Sequence, residues 1–206
     1  MDTPDAIARI KLAPALEGVH ELIRHRWSPR AFSGQTVTSQ QLRVLLDAAR
    51  WSASSYNEQP WRFIVTTKAD SVAYDKMLSI LVERNQLWAK NAPVLMLTVG
   101  KTTFSPSGQP NRHGLHDTGI ALATLMLQAT SMGLYVHAMA GFDRDKARVA
   151  FAIPDDFEPA AAVAIGHLGD AHTLAAQFRD AELAPRQRKP LDEIVYSVEW
   201  GKAANI

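Results

Sequence analysis

Three separated stretches of this chain carry side chains that could bind an anion or a planar ligand. The first, residues 24–30, reads RHRWSPR and so contains three arginines and one serine. Guanidinium groups offer forked hydrogen-bond donors and a serine hydroxyl adds another, which together suit a phosphate group. A solvated basic turn would use the same residue types, so this stretch does not identify a site by itself.

The other two stretches add side chains that can form hydrogen bonds and a glycine at which the backbone could lie close to a ligand. Residues 54–61 read SSYNEQPW, in which the first six of the eight side chains are polar and can form hydrogen bonds. A surface turn rarely needs so many, although a rigid turn anchored by Trp61 is the alternative. Residues 139–142 read MAGF and follow a predicted strand. Gly141 would let the backbone approach a planar ligand closely, but glycine is also common after strands.

Motifs for several other chemistries are missing from the sequence. It contains no G-x-G-x-x-G, no P-loop, no H-E-x-x-H and no G-x-S-x-G motif. His113, His116 and Asp117 have a spacing that a metal ion could use, but they lie where a helix is predicted to start. There, Asp117 or Thr118 is explained more simply as a cap. We therefore predict no metal site, and the roles of both histidines and of residues 101–114 stay open.

Composition limits the possible classes of function. The 206 residues include 47% hydrophobic and 21% charged residues, with a formal net charge of +1, as in an ordinary soluble globular protein. Because the charge is nearly neutral and there is no second basic stripe, a nucleic-acid-binding module is disfavoured. The absence of cysteine excludes disulfides and thiolate chemistry. With no recognisable secretory signal or membrane span, we expect a cytoplasmic protein.

Hydrophobic periodicity predicts one α+β domain over residues 1–206. Helices are predicted near residues 16–23, from a Thr38–Gln41 capping box to Ala49, near 74–82, over 117–132 and over 143–151; strands are predicted over 61–67, 93–99, 134–139 and 160–168. The helix over 117–132 is apolar on nearly all sides, which is typical of an element inside a fold or at a subunit interface. Residues 101–114 are predicted to be a mobile surface loop, and residues 191–200 a terminal arm that packs on a partner subunit.

The order of these motifs resembles that of the nitroreductase family. RWSPRAF at 26–32 and ARWSASSYNEQPWRFI at 49–64 are similar to the opening motifs of that family. Asn85 before Ala92-Pro-Val94, DTG at 117–119, GL at 133–134, MAGFD at 139–143 and RKPLDEIV at 188–195 follow in the family's order. The resemblance runs from about residue 20 to about residue 196, nearly the whole chain.

The resemblance implies a nitroreductase-like fold, with a central, mostly antiparallel sheet flanked by helices. It places the long apolar helix at the interface of a homodimer, FMN in two clefts at that interface, and the C-terminal arm on the partner subunit. Two positions depart from the family's pattern. Trp27 stands where many relatives have Arg or His, and Ala140 stands where some have an acidic side chain.

Carried over by position, the resemblance also implies roles for individual residues. Arg26, Ser28 and Arg188 would bind the phosphate, with Trp27 and Arg186 close by. Arg30 would lie near the pyrimidine edge of the flavin, Asn85 would hydrogen-bond it, and Ala140 and Gly141, next to Met139, would present backbone N–H groups near N5. Ser54, Ser55 and Asn57 would reach in from the partner subunit, with Gln59 as a further candidate. Tyr56, Phe104 and Phe142 would shape the substrate pocket.

The implied function is that of an FMN-dependent oxidoreductase. It would use NADPH or NADH to reduce electron-poor acceptors, such as nitroaromatics or quinones, by a ping-pong mechanism. The flavin would carry the chemistry, so no catalytic side chain is predicted beyond electrostatic support from Arg30. The alternatives are a flavin-binding sensor or store that does not turn over, and a specialised flavin-dependent reductase or dehalogenase.

Overall fold

The computed structural model describes residues 4–205 and has a four-stranded antiparallel sheet at its centre. Its strands are β1 (Trp61–Thr67), β2 (Val94–Lys101), β3 (Tyr135–Met139) and β4 (Phe157–Gly166), arranged in the order β1-β2-β4-β3. β2 and β4 are the inner strands, and every residue of β2 except Lys101 is buried. The continuous apolar sequence of β2 follows from this burial on both faces.

Eight α-helices surround the sheet within the described residues. They are α1 (Pro4–Ile10), α2 (Glu21–His25), α3 (Ser39–Arg50), α4 (Ser71–Ser79), α5 (Glu83–Ala89), α6 (Gly114–Ser131), α7 (Arg144–Ala150) and α8 (Ala176–Leu183). In this part of the chain, none of them combines the length and hydropathy that crossing a bilayer would need.

Each face of the sheet carries its own hydrophobic core. Because side chains alternate along a strand, Val94 and Met96 of β2 enter one core whereas Leu95 and Leu97 enter the other. The first core is closed by α3 and α6, which contribute residues such as Leu45 and Leu125. The second is closed by α4, α5, α7 and α8, whose contributions are Tyr74, Met77, Trp88, Ala89, Ala147 and Phe178. The sheet thus separates a two-helix layer from a four-helix layer.

Helix α3 follows the sequence rules for a helix start closely. Thr38 caps it: the Thr38 hydroxyl accepts the Gln41 backbone N–H at 3.1 Å, and the Gln41 side chain accepts the Thr38 N–H at 2.9 Å. This reciprocal pair satisfies two N–H groups that have no partner within the helix. Leu45 and Ala49 then lie on the buried face, so the predicted capping box and apolar stripe are both confirmed.

Several sequence predictions need correction. The helix predicted near residues 16–23 is the short α2, which begins at Glu21. Leu16 is 74% exposed and precedes this helix, so the helical spacing of apolar residues from Leu16 onward does not correspond to a buried helix face. The helix predicted near 74–82 ends at Ser79, because Leu81 pairs with Phe142 in a β-bridge and Val82 is already the N-cap of α5. Helices α1, α5 and α8 were not predicted at all.

The segment before α6 also differs from the prediction. Helix α6 begins at Gly114 with His113 at the N-cap, so Asp117 and Thr118 lie inside its first turns and the capping explanation for Asp117 is wrong. The Thr118 hydroxyl instead donates to the Gly114 carbonyl at 2.8 Å. In the loop before the helix, Thr103 and Pro110 form a β-bridge that holds its two sides together.

Candidate functional site

Residues 26–31 are held against strand β3 by side chains from two other parts of the chain. The carbonyl of Pro29 accepts a hydrogen bond from Nδ1 of His137, on β3, at 2.8 Å. On the other side, Oε1 of Glu182, on α8, accepts the backbone N–H groups of Arg30 and Ala31 at 2.8 and 2.9 Å. Three consecutive backbone groups therefore have partners from outside this segment, which fixes the backbone that carries Arg26, Ser28 and Arg30.

The carboxylate of Glu182 lies in a cationic environment in the interior. Glu182 is 1% exposed, and burial raises its pKa, while the two backbone hydrogen bonds and the charges of Arg30 and Lys11 oppose this shift. Lys11 is buried as well, and its ammonium group donates to the carbonyls of Ala181 and Ala184 at the end of α8. These carbonyls have no partner within the helix, so a cation stabilises this end of α8.

The imidazole ring of His137 lies between this segment and α5. Its ring lies 4.6 Å, centroid to centroid, from the ring of Trp88. Burial lowers the pKa of His137 to about 4, and the nearby charges of Arg30 and Arg26 add to this effect. The imidazole is therefore uncharged at neutral pH, and the hydrogen bond to Pro29 places its single proton on Nδ1.

Three arginines meet beside Ser28. Arg26 is half-buried and donates to the Ser28 hydroxyl at 3.3 Å. Burial lowers the pKa of Arg26 and the charge of Arg188 lowers it further; the pKa of Arg186 is likewise lowered by burial and then by the charges of Arg26 and Arg188. Among the side chains that the structure describes, no carboxylate forms an ion pair with any of the three. Mutually repelling cations without an anion create a site that favours one.

Arg186 differs from its two neighbours because its Nη1 donates to two backbone carbonyls that are distant in sequence. It donates to the carbonyls of Lys11 and Arg24 at 3.2 and 2.9 Å, which connects the C-terminal segment to the two N-terminal helices. Arg188 is exposed and donates to the adjacent Gln187 carbonyl at 2.7 Å. Each of the three arginines therefore uses one terminal nitrogen in these bonds, and Arg186 is the one that is tied to two other segments of the chain.

Asn85 and Gly141 continue the same edge of the sheet beyond β3. The Asn85 side-chain amide donates to the Gly141 carbonyl at 3.0 Å, and the Val82 N–H donates to the same carbonyl at 3.1 Å. A Cβ at position 141 would lie 2.6 Å from Nδ2 of Asn85 and 3.0 Å from Val82, so only glycine allows this approach. Because Asn85 and Trp88 are on α5 and Trp88 contacts His137, these residues form one continuous set with residues 26–31.

We call this set the β3-edge group: Arg26, Ser28, Arg30, Asn85, Met139, Ala140, Gly141, Arg186 and Arg188. Two of the residues predicted to lie at the cofactor, Met139 and Trp27, have side chains that are buried in the core. Met139 is 3% exposed in the core beneath α5, and Trp27 is 5% exposed against Ile7 and Ala171. Among the described residues, the indole N–H of Trp27 finds no hydrogen-bond partner, and the Lys11 ammonium group lies 5.1 Å from the Trp27 ring centroid. Any contact of Met139 with a ligand must therefore come from its backbone.

Residues 54–59 form a tight loop at the other side of the sheet, which we call the β1-edge loop. The Ser55 N–H donates to Oδ2 of Asp117, on α6, at 2.9 Å, and the Gln59 N–H donates to the Ser54 hydroxyl at 3.0 Å. Tyr56, Asn57 and Gln59 all have positive φ angles, of 52°, 55° and 50°. Each such conformation is disfavoured for residues with a side chain, and clusters of them are concentrated at functional sites.

The aromatic residues predicted to line a substrate pocket do not lie together in one chain. Tyr56 is 94% exposed and makes an edge-to-face contact with Phe104 at 5.9 Å. Glu58 supports this contact by accepting the Ser105 N–H at 2.9 Å. Phe142, in contrast, is 7% exposed in the core near α5, at the opposite side of the sheet.

The two sets of predicted cofactor residues are separated by the width of the sheet. The β1-edge loop leads into β1 at one edge, while the β3-edge group surrounds β3 at the other. Three strand-to-strand spacings lie between these edges, a distance of roughly 14 Å. One chain therefore brings together the residues predicted to bind the phosphate and the flavin edge, but it does not bring the β1-edge loop to them.

Sequence reasoning missed three residues that organise this site: His137, Glu182 and Asp117, the last as a support for the β1-edge loop. Their signals were present but local. Glu182 lies four residues after Phe178, which puts it on the buried face of a helix. His137 lies two residues after Tyr135 and two before Met139, so these three side chains share one face of a strand. Neither pattern indicates which backbone the side chain would contact, since those partners are more than 100 residues away in sequence.

Comparisons with known proteins bear on the fold and the family of this chain. Residues 23–167 match the sequence model of the nitroreductase family. A crystal structure described as an oxidoreductase containing FMN superposes with a TM-score of 0.84 at 35% identity, over 92% of this chain and 96% of that one. An uncharacterised 15.4 kDa protein of Mycolicibacterium smegmatis is 33% identical over 146 residues, covering 68% of this chain and 97% of the relative.

A shorter similarity joins this chain to a named enzyme. The major NAD(P)H-flavin oxidoreductase of Aliivibrio fischeri is 45% identical over 47 residues, covering 23% of this chain and 22% of that protein. The family match covers well over half of the 206 residues, and the antiparallel α+β architecture predicted from the resemblance is observed. The chain belongs to the nitroreductase family.

Proposed function

We propose that this protein is an FMN-dependent oxidoreductase that takes electrons from NADPH or NADH and reduces electron-poor acceptors such as nitroaromatics or quinones. The observation that carries the proposal is the cluster of Arg26, Arg186 and Arg188 beside the Ser28 hydroxyl, without a paired carboxylate among the described side chains. The structural relative that contains FMN, and the flavin oxidoreductase of Aliivibrio fischeri, support the choice of cofactor and reductant.

The chemistry of this donor set fits the phosphate end of FMN. A phosphate ester carries up to two negative charges and several acceptor oxygens, and forked guanidinium donors match them. Arg26 and Arg188 would donate to the phosphate with Ser28, while Arg186 would add positive charge. Burial, and then the charge of Arg188, lower the pKa of Arg26. A bound phosphate would offset both effects by stabilising the charged guanidinium group.

The rest of the β3-edge group would bind the flavin ring system. Arg30 would stabilise negative charge at the pyrimidine edge, Asn85 would provide a side-chain amide, and the Ala140 and Gly141 backbone would face the ring from the end of β3. FMN, when bound, would supply the redox chemistry by accepting electrons from the nicotinamide and passing them to the acceptor. The protein's part is to bind, orient and provide a positive electrostatic environment.

A homodimer would complete each site. The β1-edge loop lies too far from the β3-edge group of its own chain, so Ser54, Ser55 and Asn57, with Gln59 nearby, would serve the site of the partner subunit. Exposed apolar side chains support such an assembly. Val198 and Trp200 in the C-terminal arm are 91% and 92% exposed, and Leu115 on α6 is 41% exposed. Burial against a second copy would remove this apolar surface from water.

Substrates would enter beside the same interface. Tyr56 and Phe104 form an exposed aromatic pair next to the β1-edge loop, suited to an aromatic acceptor or a nicotinamide ring. Because one face of the flavin would serve both molecules, the reductant would leave before the acceptor enters, which gives ping-pong kinetics. Phe142 is buried, so we assign it a supporting role in the packing of the Ala140–Gly141 segment.

The decisive experiment is the visible absorption spectrum of the purified protein, recorded anaerobically before and after addition of NADPH and then NADH. A flavin band that disappears on addition of one nicotinamide would establish reduction of the flavin and identify the preferred reductant. Re-oxidation by added quinone or nitroaromatic would then identify acceptors. A flavin band that neither nicotinamide bleaches would indicate a sensor or store. A colourless protein that also fails to bind added FMN would overturn the proposal.

A further inference from the structure

A second cluster of chemically competent side chains lies at the start of α6, outside the β3-edge group. His113, His116 and Asp117 each offer one possible ligand atom, and these atoms lie within 4.8 Å of one another. Nδ1 of His116 is 3.0 Å from Oδ1 of Asp117, and the two imidazole rings have centroids 6.0 Å apart. Imidazole nitrogen and carboxylate oxygen are ligands that Zn²⁺ accepts readily.

The carboxylate in this cluster is held in place before any ligand binds. Asp117 is 3% exposed, and its Oδ2 is fixed by the Ser55 N–H at 2.9 Å. Its other oxygen, Oδ1, faces His116. Oδ2 therefore accepts the hydrogen bond that orients the carboxylate, while Oδ1 can bind a metal ion. Metal-binding carboxylates in proteins are commonly oriented by a hydrogen bond in this way. The backbone of His113 is fixed as well, because its N–H donates to Oδ1 of Asn111 at 3.0 Å.

We propose that His113, His116 and Asp117 bind a divalent transition-metal ion of the Zn²⁺ type, with water completing the coordination. Ligand atoms bonded to zinc in tetrahedral geometry lie about 3.3 Å apart. The His116–Asp117 pair is already near this separation, and the exposed side chain of His113 can rotate to close the remaining gap. The carboxylate charge offsets the positive potential at the helix N-terminus, which by itself disfavours a cation.

The position of this site connects it to the β1-edge loop. Asp117 would join the metal ion on one side and the Ser55 N–H on the other, so an ion held there would restrain the loop through a single rigid carboxylate. Metal binding itself does not depend on the proposed function. Only its consequence does: if the β1-edge loop serves a flavin site, the metal would stabilise that loop in its site-forming conformation.

The test is calorimetric titration of the untagged, full-length protein with zinc chloride, with His113→Ala and His116→Ala as variants. Both histidines are exposed, so neither substitution removes packing. His172→Ala, an exposed histidine in the turn Ala171–Thr173, is the matched control. The wild-type chain and the control should bind one zinc ion each, and either variant should bind at least tenfold more weakly. Zinc should slow hydrogen exchange of the Ser55 amide in the wild type and in the His172→Ala control, but in neither His113→Ala nor His116→Ala.

Two outcomes would overturn the proposal. The first is an absence of saturable zinc binding by the wild-type chain. The second is zinc binding that the His113→Ala/His116→Ala double variant retains, since the ion would then lie elsewhere. Flavin content measured in the same samples separates this result from the proposed function, because zinc binding and FMN binding are recorded independently.

Discussion

At the scale of single residues, the charge of Arg26 is the most informative feature of the β3-edge group. Its guanidinium group is partly desolvated and lies close to the charge of Arg188, a combination that costs free energy in the absence of an anion. Proteins retain such clusters where a ligand supplies the missing charge. The cost to the free protein is thus a measure of what a phosphate would gain on binding.

Substitution of Arg26 by alanine should weaken FMN binding. The phosphate would lose a charge-assisted hydrogen bond worth about 1.5–3 kcal/mol, which corresponds to a roughly 10- to 100-fold increase in Kd. Equilibrium binding of FMN, followed by flavin fluorescence, measures this change. Arg9→Ala, an exposed arginine on α1, is the control and should leave Kd unchanged. An unaltered Kd for Arg26→Ala would remove this residue from the phosphate site.

Glu182 supports the same site indirectly, because its carboxylate accepts hydrogen bonds from the backbone N–H groups of Arg30 and Ala31. Glutamine keeps an acceptor oxygen for both N–H groups, whereas leucine leaves both without a partner in the interior. The leucine variant should therefore be less stable than the glutamine variant by about 1–3 kcal/mol in urea unfolding, and it should bind FMN more weakly. Equal FMN affinity in the two variants would show that the position of Arg30 does not depend on Glu182.

The free energy of unfolding should depend on pH through His137. Its pKa is about 4 in the folded chain because of burial, against 6.5 for an exposed histidine. Between these values the unfolded chain binds the extra proton, so the contribution of His137 to stability is complete above pH 6.5 and is lost as the pH falls toward 4. Lowering the pH from 7.5 to 5 should cost about 2 kcal/mol through this residue.

The measurement compares urea unfolding of the wild type and His137→Gln at the two pH values. Glutamine can still donate to the Pro29 carbonyl but does not titrate. The wild type should lose about 2 kcal/mol more than the variant on acidification. Equal losses would mean that His137 is accessible to protons in the folded state, contrary to its burial.

At the scale of elements, the site depends on how closely α5 approaches the end of β3. Gly141 permits that approach, since a Cβ there would lie 2.6 Å from Nδ2 of Asn85. Gly141→Ala should displace the Asn85 side chain and break its 3.0 Å hydrogen bond to the Gly141 carbonyl. We expect weaker FMN binding and a shifted flavin absorption spectrum. Gly34→Ala, which meets no neighbour within 4 Å, should leave both unchanged.

The elements that sequence predicts well are those in which several local signals agree. In α3, the Thr38–Gln41 box, the apolar stripe and the length of 12 residues all indicate a helix, and β1 matches its predicted bounds of 61–67. Helices α1 and α5 have seven residues each and α8 has eight, too short for periodicity to distinguish them from turns. Tertiary packing, as at buried Trp88 and Phe178, stabilises α5 and α8.

The site was predictable to the extent that its residues lie in contiguous motifs. Residues 24–30, 54–61 and 139–142 were singled out by type and spacing, and the structure places the first and third along one edge of the sheet. The supports were not predictable, because the contacts of Glu182 with Arg30 and of His137 with Pro29 join positions separated by 152 and 108 residues. Such pairings arise from the arrangement of the sheet and helices, which no local pattern encodes.

At the scale of the whole molecule, the separation of the two predicted sets of cofactor residues is the main constraint on assembly. The β1-edge loop and the β3-edge group lie at opposite edges of the sheet, roughly 14 Å apart at the least. If both sets bind one cofactor, we expect them to come from different chains. A two-fold symmetric dimer satisfies this twice, because each chain offers one loop and one group.

This arrangement predicts complementation between two variants that are impaired in different halves of the site. Arg26→Ala would impair the β3-edge group, and Asn57→Ala, in the β1-edge loop, would impair the other half of each site. In a mixed dimer, one site would combine both defects and the other would contain neither. Subunit exchange between equal amounts should therefore restore about a quarter of the wild-type sites, measured as bound FMN and as NAD(P)H-dependent reduction.

The control is each variant alone, taken through the same exchange procedure, which should recover nothing. A mixture no more active than its components, although exchange is shown by a mass tag, would mean that both residues act within one chain. The β1-edge loop would then have to move across its own sheet to reach Arg26, and the shared-site dimer would be abandoned. Recovery near one quarter would instead show that neither chain contains a complete site by itself.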